Sequence, residues 1–433
     1  MEEIVREKKK RSRNIPILEK QLAEHPEEPF TLFNMGNEYL SMKDYERALG
    51  YYKQAMSHLK NRRIAYVPHL FFRIISCHSC LGHSDQALTA AGEALKEFPA
   101  CTDYEFLRGS ILLARGRYTL AIDSFEACMK MGPPPMQLEF LPGCGTFRPA
   151  LQMGELYMEL EDYERAIRHY NMALSHKSNL YSALYRIGHA LGRLDPGGDR
   201  AAAGLLSFFT NPKYTPNALL AADILVGEGF LNQAAAALEN LTDTQGRESE
   251  LDYLRGRILL LRGQSRLGAG RLEAACDAPE PETRILRGVR PKSARLLFAA
   301  GLMLEDEDLL ERALGHIAAL CSAATCRAAT LMRQIFQGVT PEDPHFAEEG
   351  RDEQAVMLDL LEFLLKCRSL ELFERLVRGL NYVDGRDLLL NLAKVYDNLG
   401  LRSLAAEHVL RSIKELDTVD ADGARILLRQ LRD

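Results

Sequence analysis

Cys77, His78, Cys80 and His83, in the stretch CHSCLGH, join a C-x-x-C pair to an imidazole at a spacing that suits a metal ion. A closed zinc site takes four ligands, and no second cysteine pair stands nearby, so these residues read as small thiols at packing positions of a helix. Cys144 lies between Gly143 and Gly145 and reads as a thiol on an exposed loop. A nucleophile needs an adjacent base, and the nearest histidine in sequence is His169, so a flexible loop tip is the expectation. EDED at 305–308 contains the Asp-x-Asp that can hold a divalent ion against a sugar nucleotide. No strand precedes it, and helix N-capping explains the acids more simply.

Two basic runs invite the question of polyanions. KKKRSR at 8–13 is offset by Glu2, Glu3 and Glu7, and reads as part of a solvated helix. RILRGVRPKSAR at 284–295 has five basic residues and no acid, which makes it the better anion-attracting segment, with a solvated rim as its simpler reading. The whole chain of 433 residues carries a formal net charge of -6, which does not suit a general polyanion binder. No catalytic constellation, cofactor site or nucleic-acid surface emerges, and a non-enzyme is expected.

The elements behind these groups are helices, and they recur. LFNMGNEYLSMKDYERALGYY (32–52) overlays ALQMGELYMELEDYERAIRHY (150–170) at an offset of 118, and FLRGSILLARG (106–116) overlays YLRGRILLLRG (253–263) at 147. Gly154 and Gly188 are 34 residues apart, as are Ala87 and Ala121. A period of 34 with two helices in each repeat is the tetratricopeptide signature.

On these residues the chain resembles the tetratricopeptide repeat (TPR) family. Gly36, Gly109, Gly154, Gly188 and Gly256 match the small position of the first helix, and Ala48, Ala87, Ala121, Ala166 and Ala234 that of the second. Tyr52, Phe125 and Tyr170 match the large position of the second helix, Tyr39 and Tyr157 the aromatic closing the first. Pro99, Pro133 and Pro212 stand where a repeat ends. The implied fold is all-α, a right-handed superhelical solenoid of antiparallel helix pairs whose first helices line a concave groove. The family's Trp position carries no Trp here, and PPPMQLEFLPGCGT (133–146) stretches one spacing with prolines that cannot stay helical.

The expected organisation is a basic N-terminal capping helix at 1–28, with Ile15, Ile17, Leu18 and Leu22 facing the first repeat across a break at Pro16. Well-formed repeats at 29–213 carry the inserted loop 133–146. Degenerate repeats follow at 214–284. A helical-hairpin region at 285–433 ends in a TPR-like pair, with Ala393, Tyr396 and Ala405 in its slots, and a polar capping helix.

The groove is where function is expected. One face of successive first helices carries Phe33, Phe72, Phe106, Leu151, Tyr185 and Tyr253, beside Asn37, Ser76, Ser110, Glu155, His189 and Arg257. Such a ladder can grip a peptide through apolar pockets and hydrogen bonds, and part of it can equally be intramolecular core. The carboxylate clamp of chaperone-binding TPR modules would need Lys, Asn and Arg where this chain has Phe33, Asn37, Arg73, Asp103 and Leu107, so only Asn37 matches.

A narrower resemblance covers residues 6 to about 190: the opening block and LPGCGTFRPALQMGELYMELEDYERAI resemble the TPR region after the catalytic domain of bacterial family 2 glycosyltransferases. It implies an accessory or acceptor-recognition module, with a glycosyltransferase or its acceptor among the partners and a homo-oligomer among the assemblies. The catalytic domain itself has no counterpart in this chain, so no catalytic residue carries over. The alternatives are the C-terminal part of such an enzyme and a peptide-sensing regulator. The opening MEEIVREKKKRSRN lacks a secretory signal's apolar stretch, no apolar run is long enough to span a membrane, and the nine cysteines are scattered. The chain is therefore expected in the cytoplasm with its thiols reduced.

Overall fold

The computed structural model describes residues 14–341, 350–383 and 387–431, all in helices and their connections; among them there is no strand beyond one isolated bridge between Tyr214 and Thr242. The basic run 8–13 lies outside the described residues. The chain divides into two compact units, Met1–Pro196 and Gly197–Asp433, so the boundary falls inside the fifth hairpin of the span 29–213.

In the first unit, α1 (14–24) precedes α2 (Pro29–Ser41), α3 (Tyr45–Ser57), α4 (Val67–Cys80), α5 (Ser84–Glu97), α6 (Thr102–Ala114), α7 (Tyr118–Met131), α8 (Phe147–Glu159), α9 (Tyr163–His176) and α10 (Tyr181–Leu194). Ile15, Leu18 and Leu22 are partly buried, but Ile17 is 51% exposed, because the spacing 15, 18, 22 follows the helix period and 17 falls off that face.

The packing rule is one glycine facing one large residue sixteen positions later. A Cβ on Gly36 would lie 2.5 Å from the Tyr52 ring, on Gly109 2.8 Å from Phe125, and on Gly154 2.7 Å from Tyr170. Tyr52, Phe125 and Tyr170 are fully buried there, and burying each ring contributes about 2 kcal/mol or more. That outweighs the helix cost of about 1 kcal/mol for an interior glycine. The offset of 118 also repeats in detail. Asp44 and Asp162 cap α3 and α9 by accepting from the backbone N–H of Arg47 and Arg165, each at 3.1 Å. Those arginines lie over Tyr39 and Tyr157, which stack on Tyr51 and His169.

The insertion at 133–146 is a non-α-helical connection packed onto the first unit. After a short 3-10 turn, Met136–Leu138, it folds back as a strap onto α4 and α6. Asp103, buried near the start of α6, accepts from the N–H groups of Phe140 (2.8 Å) and Leu141 (2.5 Å). The Phe140 ring sits 4.7 Å from His69 and 5.0 Å from Phe72. Gly143 and Gly145 are required by close approach, since a Cβ would strike the Phe147 ring at one and the Gly132 carbonyl at the other. This pinning turns Cys144 inward: it is fully buried, correcting the exposed loop tip expected of it, and burial pushes its pKa up so that it stays protonated.

In the second unit, α11 (Asp199–Leu206), α12 (Thr215–Gly227), α13 (Leu231–Ala237), α14 (Glu248–Leu261), α15 (Ser265–Asp277), α16 (Val289–Leu304), α17 (Glu307–Leu320) and α18 (Ala323–Phe336) are followed by α19 (Gly350–Lys366), α20 (Leu370–Leu376), α21 (Leu388–Asn398), α22 (Arg402–Leu416) and α23 (Ala421–Gln430). The same glycine rule places Gly256 against Leu272, again sixteen residues on. Asp306 caps α17 through the N–H of Leu309, which is the role read for EDED. Ala393, Tyr396 and Ala405 are buried between α21 and α22. The terminal α23 buries Gly423 and Ile426, yet it is less polar outside than expected, with Leu428 59% and Leu431 82% exposed.

The second unit repeats the strap's anchor. Glu250 stands 147 residues after Asp103, and its carboxylate accepts from the N–H groups of Ile285 and Leu286, both at 2.8 Å. The anchors differ in charge balance. Arg247 pairs with Glu250 at 2.9 Å, whereas the second oxygen of Asp103 is buried with no partner among the described residues.

Burial pushes the Asp103 pKa up, and the two backbone hydrogen bonds only partly oppose it. A carboxyl whose folded pKa is raised holds its proton more tightly when folded. Its contribution therefore favours folding below the usual value of 3.8 and declines as pH rises from there through the raised value. Asp103→Asn lacks that decline. Urea unfolding across this window is expected to show the variant gaining on the wild type as pH rises, with a constant difference above it. A difference independent of pH would contradict the assignment.

Candidate peptide-binding surface

The residues of the expected ladder divide by burial. In the first unit, Phe33, Phe72 and Phe106 are buried in the intramolecular core: Phe33 packs on Tyr52 and Tyr66, Phe72 lies under Phe140 of the strap, and Phe106 meets Phe125. Their polar neighbours serve the helices. Asn37 accepts from the Tyr52 hydroxyl at 2.9 Å, while the Ser76 and Ser110 hydroxyls donate to the carbonyls of Phe72 and Phe106 one turn back. The accessible part lies further along, where Glu155 pairs with Arg186 at 3.1 Å, Leu151 and His189 are half-buried, and Tyr185 is 38% exposed.

In the second unit, Tyr253 and Arg257 line an open cleft of about 920 Å³. It runs over α12, α14 and α16, alternate helices as the two-helix repeat dictates, and then over α19 and the end of α21, where two helices intervene between α16 and α19 and that alternation breaks. Leu261 and Leu296, both partly buried, supply apolar surface, and Phe363 is buried in the wall behind them. Tyr253 is itself buried, a wall more than a contact. Arg257 pairs with Asp223 at 2.9 Å and Arg295 with Asp359 at 3.3 Å, which fixes both guanidinium groups across neighbouring helices.

The structure does not turn the cysteine–histidine stretch into a metal centre. Cys77 and His78 are buried and Cys80 is exposed, and no group of three or more His, Cys, Asp or Glu among the described residues is placed to hold a metal ion. Burial pushes the Cys77 thiol up to about 12, and burial with Lys53 and His83 lowers the His78 pKa, so both groups are neutral near pH 7. Among the described residues no helix is long and apolar enough to cross a membrane.

Tetratricopeptide repeat family models match residues 31–64, 81–133 and 148–179. The chain carries tetratricopeptide repeats. The glycine-to-ring contacts at Gly36, Gly109 and Gly154 lie in or beside these segments, so the TPR helix pairs of the first unit are matched by sequence and by packing alike. No protein of curated function matches. Among solved structures, the chain is similar to the C-terminal part of a TPR repeat-containing protein from Cytophaga hutchinsonii (14% identity, 62% of this chain and 90% of that one, TM-score 0.40). A tetratricopeptide repeat protein from Parabacteroides merdae is similar over 61% of this chain and 98% of its own (18% identity, TM-score 0.33). Yeast Tom70 is similar over 92% and 94% (13% identity, TM-score 0.31).

Sequence reasoning missed the residues from α16 and α19 that complete the cleft, because the 34-residue period fades there. One signal was present: the basic stretch 284–295 contributes Lys292 and Arg295 to it.

Proposed function

We propose that this TPR chain is a non-catalytic scaffold that binds a protein partner by laying an extended peptide segment of it against first-helix surfaces. The second unit's cleft carries the reading. It offers apolar surface at Leu261 and Leu296 beside guanidinium groups already held by ion pairs, so little side-chain order is lost on binding. In the first unit, the surface around Leu151, Glu155, Tyr185 and His189 is the accessible part of the ladder. The likeness of residues 6 to about 190 to repeats that follow a bacterial glycosyltransferase domain makes such an enzyme, or its acceptor, the first partner to try in a cytoplasmic setting.

The test is selection of a displayed peptide library on the purified full chain, followed by titration of the selected peptides. Leu296→Ala and Arg295→Ala, both at partly buried positions, are expected to weaken a cleft-binding peptide about tenfold each, as interface positions beside apolar anchors do. Tyr185→Ala would mark peptides held by the first unit instead. Selection of no peptide, or of peptides that none of the three changes affects, would count against groove binding.

A further inference from the structure

The cleft of the second unit has a charge imbalance opposite to that of the chain. Six cationic side chains line it, Arg257, Arg262, Lys292, Arg295, Lys366 and Arg368, against four acids, Asp223, Glu228, Asp359 and Glu362. Three acids are matched by lining cations: Asp223 with Arg257, Asp359 with Arg295 and Glu362 with Lys366. Arg262 bonds only to neutral oxygens of Leu231 and Asn232. Lys292 and Arg368 have no ion-pair partner among the described residues, and both are exposed. The cleft is therefore positive on a chain whose formal charge is -6.

The position of Lys292 sharpens this. It stands at the start of α16, whose first turn has no acid, and a cation there is opposed by the helix dipole. Local stability gives no reason for Lys292 at that place, and its field adds to that of the helix terminus.

We infer that the cleft takes a partner segment in which acidic side chains alternate with apolar ones, the carboxylates going to Lys292, Arg368 and Arg262 and the apolar residues onto Leu261 and Leu296. The inference rests on the peptide-binding reading and names the class of peptide. The side chains of Asp359 and Glu362 disfavour the evenly spaced phosphates of a nucleic acid, while separate carboxylates can settle between them.

The experiment is fluorescence anisotropy with the full chain and a C-terminally amidated, labelled peptide of alternating Glu and Leu, beside the same peptide with Gln or Lys for Glu, and a single-stranded thymidine oligonucleotide. The acidic peptide is expected to bind roughly tenfold more tightly than the Gln peptide and to weaken with salt as the screening length falls from about 10 Å at 0.1 M to about 3 Å at 1 M. Lys292→Glu with Arg368→Glu should abolish that preference without lowering the melting temperature, both side chains being exposed and an acid near the start of α16 being favoured by the helix dipole. Equal binding of acidic and Gln peptides overturns the charge inference and leaves peptide binding standing. Binding of no peptide removes the reading beneath it. An oligonucleotide that binds as tightly as the acidic peptide, or a double variant that keeps the preference, overturns the inference.

Discussion

Gly36→Val is expected to lower the unfolding free energy by about 3 kcal/mol, the upper part of the usual range for overpacking a well-filled core. The added Cβ would stand 2.5 Å from the Tyr52 ring, which has no exposed surface and no room to withdraw. Phe33 packs on that ring at 5.9 Å between centroids, and the Tyr52 hydroxyl is held by Asn37. Gly36→Ala should cost less, since the same clash is partly offset by about 1 kcal/mol of helix propensity. Tyr52→Ala alone leaves a cavity worth about 3–5 kcal/mol. Urea unfolding of the double variant decides the cause: if the ring is what the new side chain meets, Gly36→Val costs far less once Tyr52 is alanine. Additivity within about 0.5 kcal/mol would mean that the glycine serves some other purpose.

That pair also shows what could be read from sequence. A glycine inside a helical pattern, followed sixteen residues later by Tyr, Phe or Leu, is a local statement about one helix pair. It holds at Gly36, Gly109, Gly154 and Gly256. The caps at Asp44 and Asp162 and the stacked aromatics at Tyr39 and Tyr157 are local in the same way.

The strap was not legible, because its proline content specified only that it could not be helix. Its place depends on Asp103, some 37 residues upstream, and on backbone approaches at Gly143 and Gly145 that a sequence does not display. Cys144 was misread for that reason: flanking glycines suit a loop tip and a tightly packed backbone equally. The ladder was legible as a face and not as a surface. Helical spacing places Phe33, Phe72 and Phe106 on one side, but whether water or Phe140 covers them is a tertiary fact.

The buried carboxylate at 250 is the position where loss of one side chain should matter most. Glu250 has no exposed surface; one oxygen takes two backbone N–H groups and the other takes Arg247, which also donates to the carbonyl and the hydroxyl of Thr283. Glu250→Ala strands two donors and leaves a guanidinium, itself mostly buried, without its counter-charge. Breaking a buried pair from one side typically costs about 3–5 kcal/mol, and that is the loss expected in urea unfolding. Asp103→Ala strands two N–H groups in the same way but no cation, so its cost should stay within about 1–3 kcal/mol. The contrast tests the account, because both positions anchor a loop to a first helix and differ mainly in Arg247. Trypsin gives a local reading: Arg284 and Arg287 flank the two anchored N–H groups, and cleavage there should accelerate in Glu250→Ala before global unfolding. If Arg247→Leu combined with Glu250→Leu is no more stable than Glu250→Ala, the stranded charge is not the cause, and the loss must be assigned to the loop's two N–H groups alone.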